Sequence, residues 1–157
     1  MSVTTSPSES EIALFSMLVC DLTGFDDFDT QLLALNLSTL RAERAVVGDI
    51  DRLLSAYRIL RAECADGDVA FRCQALRSNG EFAETLKQIL YLCYLGSIRI
   101  NGHWKRCGWR QHEDALVWKA LGVHSPMTRG DGEFGDWAER PRDRARTDQR
   151  NERRDEH

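Results

Sequence analysis

The stretch Ser8–Gly24, SESEIALFSMLVCDLTG, decides the fold class. Ser8 followed three residues later by Glu11 is capping-box spacing. The hydroxyl and the carboxylate each satisfy a backbone N–H that the first helical turn leaves open. Ile12, Phe15, Leu18, Val19 and Leu22 then recur at intervals of three and four, which lays one apolar stripe along a helix. Gly24 closes the run, because glycine takes the left-handed C-terminal position at no steric cost.

The same grammar repeats down the chain. A second helix starts at Asp27 or Asp29 and buries Leu32, Leu33, Leu37 and Leu40. A third, capped by Asp49, carries Ile50, Leu53, Leu54, Tyr57 and Leu60 on one face. After the Asp66-Gly67-Asp68 break, a short helix through Phe71, Cys73 and Leu76 reaches Asn79-Gly80. From Glu81 another turns Phe82, Leu86, Ile89, Leu90, Cys93 and Tyr94 inward and stops near Gly96. Asn101-Gly102, between Ser97–Ile100 and His103–Arg106, favours a two-residue hairpin turn and argues against a long continuous helix there. One more helix spans about Gln111 to Leu121, with Gly122 as its cap.

The expected fold is therefore all-α: a single helical domain of about five to six helices with an extended C-terminal arm and a disordered tail. Residues 1–9 form a disordered N-terminus, 10–122 the helical domain, 123–141 the arm and 142–157 the charged tail. The arm contains Gly130-Asp131-Gly132-Glu133-Phe134-Gly135-Asp136-Trp137, which has neither helical nor strand periodicity. The tail has no aliphatic side chain larger than Ala145, so it cannot bury enough apolar surface to order itself.

Composition narrows the function. A chain of 157 residues with 42% hydrophobic content supports one domain with a core. The formal net charge of -4 gives no whole-domain attraction to nucleic acid or anionic membrane. No apolar run approaches the roughly 20 residues of a membrane span. The first residues lack the basic region and long apolar stretch of an export signal, so a cytoplasmic location is expected. Five cysteines, an odd number without a C-x-x-C pair, fit reduced structural thiols.

The chemistry-bearing residues do not assemble into a catalytic pattern. His103 and Cys107 are four apart and His112 is near, but the hairpin signal and Gly108 remove the helix that would align them. A structural zinc site also wants four ligands, so no metal residues are expected. Ser125 directly follows His124, and adjacent residues rarely face each other, so no nucleophile and base are evident and no catalytic residue is assigned. Glu113 and Asp114 cap the helix from Gln111. Neither a phosphate loop nor a dinucleotide fingerprint is present, so no cofactor-binding residue is assigned. The arginines from Arg140 to Arg154 are interleaved with acids, and no aromatic platform follows Trp137, so nucleic acid is not an expected partner.

What remains is aromatic surface. All four tryptophans, Trp104, Trp109, Trp118 and Trp137, lie between Ile89 and Pro141. Tyr94 and Trp118 fall on apolar helix faces and are expected in the core. Trp104 and Trp109, flanked by Lys105, Arg106 and Arg110, have the composition of a protein–protein interface. The partner interface is accordingly assigned to Trp104, Trp109, Phe134, Trp137 and Pro141.

Two parts of the chain resemble the small subunit of bacterial FAD-dependent sugar and polyol dehydrogenases, the sorbitol, fructose and glucose dehydrogenase small-subunit family. Phe15-Ser16-Met17-Leu18-Val19-Cys20-Asp21-Leu22-Thr23-Gly24-Phe25 is similar to that family's opening helix and its Leu-Thr-Gly turn. Leu92-Cys93-Tyr94-Leu95-Gly96, Glu113-Asp114-Ala115-Leu116-Val117-Trp118 and Gly135-Asp136-Trp137-Ala138-Glu139-Arg140-Pro141 resemble, in order, its Tyr-x-Gly helix end, Glu-Ala-Leu helix and Trp-Ala-x-x-Pro close. The resemblance implies a non-catalytic accessory subunit that folds, stabilises and assembles with a large flavoprotein dehydrogenase subunit. FAD and substrate would belong to that partner, and no cofactor to this chain. Family members carry a twin-arginine leader and a cysteine shortly before the closing motif. Here Ser125-Pro126-Met127 stands at that cysteine's place, and the leader is not in this sequence. By analogy a periplasmic location would need a leader carried by the partner or removed. The alternatives are a stand-alone helical metal-dependent enzyme using His103, Cys107 and His112, and a homo-oligomeric scaffold burying Trp104 and Trp109 against a second copy.

Overall fold

Among the described residues, four helices begin where a short polar side chain reaches back to open backbone N–H groups. The computed structural model describes residues 6–64, 67–123 and 125. α1 (Glu9–Thr23) has the full capping box: the Ser8 hydroxyl accepts from the Glu11 N–H, and the Ser8 N–H donates to Glu11 at 2.7 Å. It ends on Gly24 at φ 76°, as read from the sequence. α2 (Thr30–Ala42) is capped by Asp29, whose carboxylate accepts from the N–H groups of Gln31 and Leu32. A four-residue helix, α3 (Arg44–Val47), follows, and then α4 (Ile50–Glu63) capped by Asp49. α5 (Val69–Ser78) is capped by Asp68, and α6 (Ala83–Leu95) ends on Gly96 at φ 62°.

The chain divides after Ala115. In the first unit α1 packs against α2, α4, α5 and α6. Phe15, Leu18, Leu37, Leu40, Leu53 and Ile89 are wholly buried at its centre. Each such side chain contributes about 1.5–3 kcal/mol relative to exposure, so burial of the predicted stripes, not propensity, holds the helices together. After α6 come two short strands, β1 (Ser97–Ile100) and β2 (His103–Arg106), and then α7 (Trp109–Glu113). The second unit holds α8 (Leu116–Leu121), whose carbonyl at Trp118 accepts the Val123 N–H at 3.0 Å. The mostly helical class expected from the sequence is what the chain adopts. No helix among the described residues is long and apolar enough to cross a membrane.

Three features depart from the sequence reading. The single helix expected over Gln111–Leu121 is two helices: α7 starts at Trp109 and stops at Asp114, whose N–H closes the turn onto Arg110. Asp114 thus ends a helix and lies 3.6 Å from Arg110, where a capping role at the helix start was expected. In α5 the expected inward side chain Phe71 is 52% exposed while its neighbour Arg72 is 1% exposed. The helix has turned to bury a charge. Finally, α3 and the Gly48 turn carried no recognised signal. Gly48 has φ 96°, and a Cβ there would stand 2.3 Å from the Thr85 hydroxyl oxygen.

The buried charge is satisfied. Arg72 Nε donates to Asp21 at 2.9 Å, and the Tyr57 hydroxyl donates to the same carboxylate oxygen at 2.7 Å. The Cys73 thiol closes the group on the Asp21 carbonyl at 3.3 Å. One α1 residue therefore ties α4 and α5 together. Burial first, and the Asp21 carboxylate second, push the Tyr57 hydroxyl up to about 12, so it remains a donor.

Most of the expected arm (123–141) and all of the tail (142–157) lie outside the described residues, and with them the interface assignments Phe134, Trp137 and Pro141.

Candidate partner-binding surface

The two strands form a hairpin because Asn101 and Gly102 both adopt positive φ, 48° and 84°, the geometry whose twist matches paired strands. The turn sets the register: Ile100 faces His103, Arg99 faces Trp104, Ile98 faces Lys105 and Ser97 faces Arg106. Side chains alternate between faces along each strand. Ile98 is wholly buried, and Lys105 forms an ion pair with Glu43, so their shared face lies on the helices. Arg99, Trp104 and Arg106 carry the opposite face and are all exposed.

The hairpin is clamped from α6. The Gln88 amide oxygen accepts the Arg99 N–H at 2.8 Å, and its nitrogen donates to the Arg99 carbonyl at 2.8 Å. Gln88 is itself buried and held by Glu84 at 2.7 Å. At the base, the Cys107 N–H donates to the Gly96 carbonyl at 3.1 Å. Only glycine fits at position 96, since a Cβ would lie 2.5 Å from the Gln111 carbonyl oxygen. Gln111 in turn buries its amide nitrogen against Asn36 at 2.8 Å and Thr39 at 3.1 Å, which seats α7 on α2.

On this frame Trp104 is 54% exposed yet oriented. The Tyr91 ring from α6 meets it edge-on at 4.9 Å between centroids and an interplanar angle of 73°. The Arg99 guanidinium lies over the indole at 5.8 Å. Such a cation–π contact contributes about 0.5–1 kcal/mol at an exposed site, enough to bias a rotamer. A rigid, amphipathic aromatic beside arginine is the composition of an interface hot spot.

Trp109, 48% exposed, begins α7 beside Arg110. Arg110 is spent on Asp29 at 3.0 Å and Gln31 at 2.9 Å, so it seats α7 on α2. No ring contact joins Trp109 to Trp104 among the described residues. Tyr94, expected in the core, is half-buried and meets Phe25 edge-on at 6.5 Å. The sequence reading named Trp104 but not its holders, Gln88, Arg99 and Tyr91. The Asn101-Gly102 turn was the available signal, because a two-residue loop pairs position 99 with 104 by counting alone.

The histidine–cysteine set does not converge into a metal site: among the described residues no three His, Cys, Asp or Glu side chains are placed to hold an ion. His103 is exposed on β2, the Cys107 thiol contacts the Lys105 carbonyl at 3.8 Å, and His112 Nδ1 lies 3.3 Å from the Leu95 carbonyl. All five cysteines are free thiols. Burial pushes the Cys93 thiol up to about 12 and raises Cys20, Cys73 and Cys107, which suppresses their thiolates. No family model, curated protein or solved structure matches this chain.

Proposed function

We propose that this chain is a non-catalytic accessory subunit that binds, stabilises and assembles with an FAD-dependent sugar or alcohol dehydrogenase. Trp104 carries the reading as an interface: an exposed indole is held in one orientation by Tyr91 and Arg99. Ordering a large aromatic before contact removes an entropic cost that binding would otherwise meet. The choice of partner rests on the ordered motifs from Phe15 to Pro141 that resemble the dehydrogenase small subunits. In this reading the flavin and the sugar or alcohol substrate sit on the large subunit, and this chain binds neither.

Its contribution is mass action. A subunit that binds only the native form of its partner stabilises it by about 2.7 kcal/mol at a concentration one hundred times Kd. The test is to express a large flavoprotein subunit of this class alone and with this chain. Higher yield and flavin content on co-expression support the proposal. Equal yield, flavin content and turnover in both cases refute it.

A further inference from the structure

Among the described residues the hairpin has one closed edge and one open edge. Gln88 takes both backbone groups of Arg99, so those groups point away from β2. In an antiparallel ladder a residue whose N–H and C=O point outward faces a partner whose own groups point outward on the other side. Trp104 is that partner, and Arg106, two residues on, repeats its orientation. The N–H and C=O of Trp104 and Arg106 therefore line the outer edge of β2. All four residues of this strand are exposed.

The edge has a chemistry as well as a shape. From Ser97 to Arg106 the hairpin contains Arg99, Lys105 and Arg106 and no acidic residue, in a chain of net charge -4. Lys105 is neutralised by Glu43 on the buried face. Arg99 and Arg106 form no ion pair among the described residues, and both lie on the face of Trp104. These two arginines put positive charge on the face that Trp104 exposes. The chain's formal net charge of -4 disfavours an extended polyanion such as nucleic acid.

We infer that the outer edge of β2 is a strand-addition site for an extended acidic segment of a partner protein. The segment's backbone pairs with Trp104 and Arg106. An apolar residue packs on the Trp104 indole, and a carboxylate two residues away takes the Arg106 guanidinium, with Arg99 adding to the field. Main-chain pairing supplies affinity and the alternate side chains supply selectivity. The inference rests on the accessory-subunit reading for its partner, but its chemistry is tested without that partner.

The probe is a fluorescein-labelled peptide, Ser-Glu-Thr-Phe-Thr-Glu-Ser, whose carboxylates lie two residues from the phenylalanine, titrated with the full chain and followed by anisotropy. Binding should weaken about tenfold or more when glutamine replaces every glutamate, and by as much when alternate backbone nitrogens are methylated. Trp104→Ala and Arg106→Glu should each weaken it comparably while leaving the circular dichroism melt unchanged. Equal binding of the acidic and glutamine peptides would overturn the proposal. So would retention of full binding after backbone methylation, tighter binding of oligouridylate or of phosphatidylserine vesicles, or a doubled solution mass lost in Arg106→Glu, which would make a second copy the occupant. If Trp104→Ala and Arg106→Glu still co-purify fully with a dehydrogenase large subunit, strand addition fails while the accessory role stands. If the peptide binds as expected and no large subunit is stabilised, the accessory reading fails alone.

Discussion

Arg72 donates to Asp21 at 2.9 Å inside the helical unit, with Arg72 only 1% exposed. A charge this deep is held because three donors meet one carboxyl-bearing residue: the guanidinium, the Tyr57 hydroxyl and the Cys73 thiol. Removing one partner of a buried pair leaves the other uncompensated, at a cost of about 3–5 kcal/mol. Arg72→Met should therefore lower the urea unfolding free energy by that amount. Adding Asp21→Leu should recover part of the loss, since two apolar groups need no partner. Unfolding curves of the wild type, each single variant and the double variant make the comparison.

Glu11 gives a pH signature. The Ser8 backbone N–H, then the Ser8 hydroxyl and Arg41, hold its carboxyl at about 2, against an ordinary value of 4.5. A depressed value in the folded state means that the unfolded chain binds more protons between these limits, so stability rises with pH across that window. The contribution is fully present above about 4.5 and disappears as pH falls through about 2. Because the Glu11 side chain is 37% exposed, solvent screening reduces it well below the full linkage value. Glu11→Gln should cost about 1 kcal/mol at neutral pH, with wild-type and variant melting temperatures converging toward pH 2.

Gly96 and Gly102 both have positive φ but different surroundings. A Cβ at Gly96 would lie 2.5 Å from backbone oxygen, whereas Gly102 has open space. Gly102→Ala should cost about 1–2 kcal/mol from backbone strain alone. Gly96→Ala adds a collision with α7 that cannot be relieved by a side-chain rotation, and should cost about 3 kcal/mol or more. Thermal denaturation of the two variants separates strain from collision.

Gln88→Leu should act locally. Losing the amide leaves the N–H and C=O of Arg99 without their side-chain partners, an expected loss of about 1–3 kcal/mol. Hydrogen exchange at Arg99 should accelerate more than at Leu53 in the core, and Trp104 fluorescence should report a less ordered indole. Trp104→Ala, by contrast, should change global stability by less than about 1 kcal/mol, because its ring is half in solvent.

Apart from α3, the helical elements were legible from Ser8 to Gly96 because their determinants are local. A cap needs one side chain and three residues of chain, and an apolar stripe needs only its own spacing. Asp29, Asp49 and Asp68 cap helices for the same short-range reason. Phe71 was misplaced because its residue type suggests burial more strongly than that of Arg72. Only the carboxylate of Asp21, 51 positions away along the chain, makes the arginine the better interior residue. The break between α7 and α8 was likewise hidden: Gln111 reads as a surface residue until Asn36 and Thr39, more than 70 positions upstream, accept its amide.

The candidate surface divides in the same way. Its aromatic and basic content, its turn and the pairing of Arg99 with Trp104 follow from residues 97 to 106 alone, because a two-residue hairpin is self-contained. Which face meets the helices and which strand edge stays open depend on Ile98 finding the core and Gln88 reaching Arg99. The sequence by itself therefore determined the capped helix starts of α1, α2, α4 and α5, the glycine stops at Gly24 and Gly96 and the reversal at Asn101-Gly102, since those are contests between neighbours for backbone hydrogen bonds. The tertiary structure alone decided which polar groups are buried and which strand edge stays open among the described residues. Both outcomes turn on desolvation, and the groups that offset it come from distant parts of the chain.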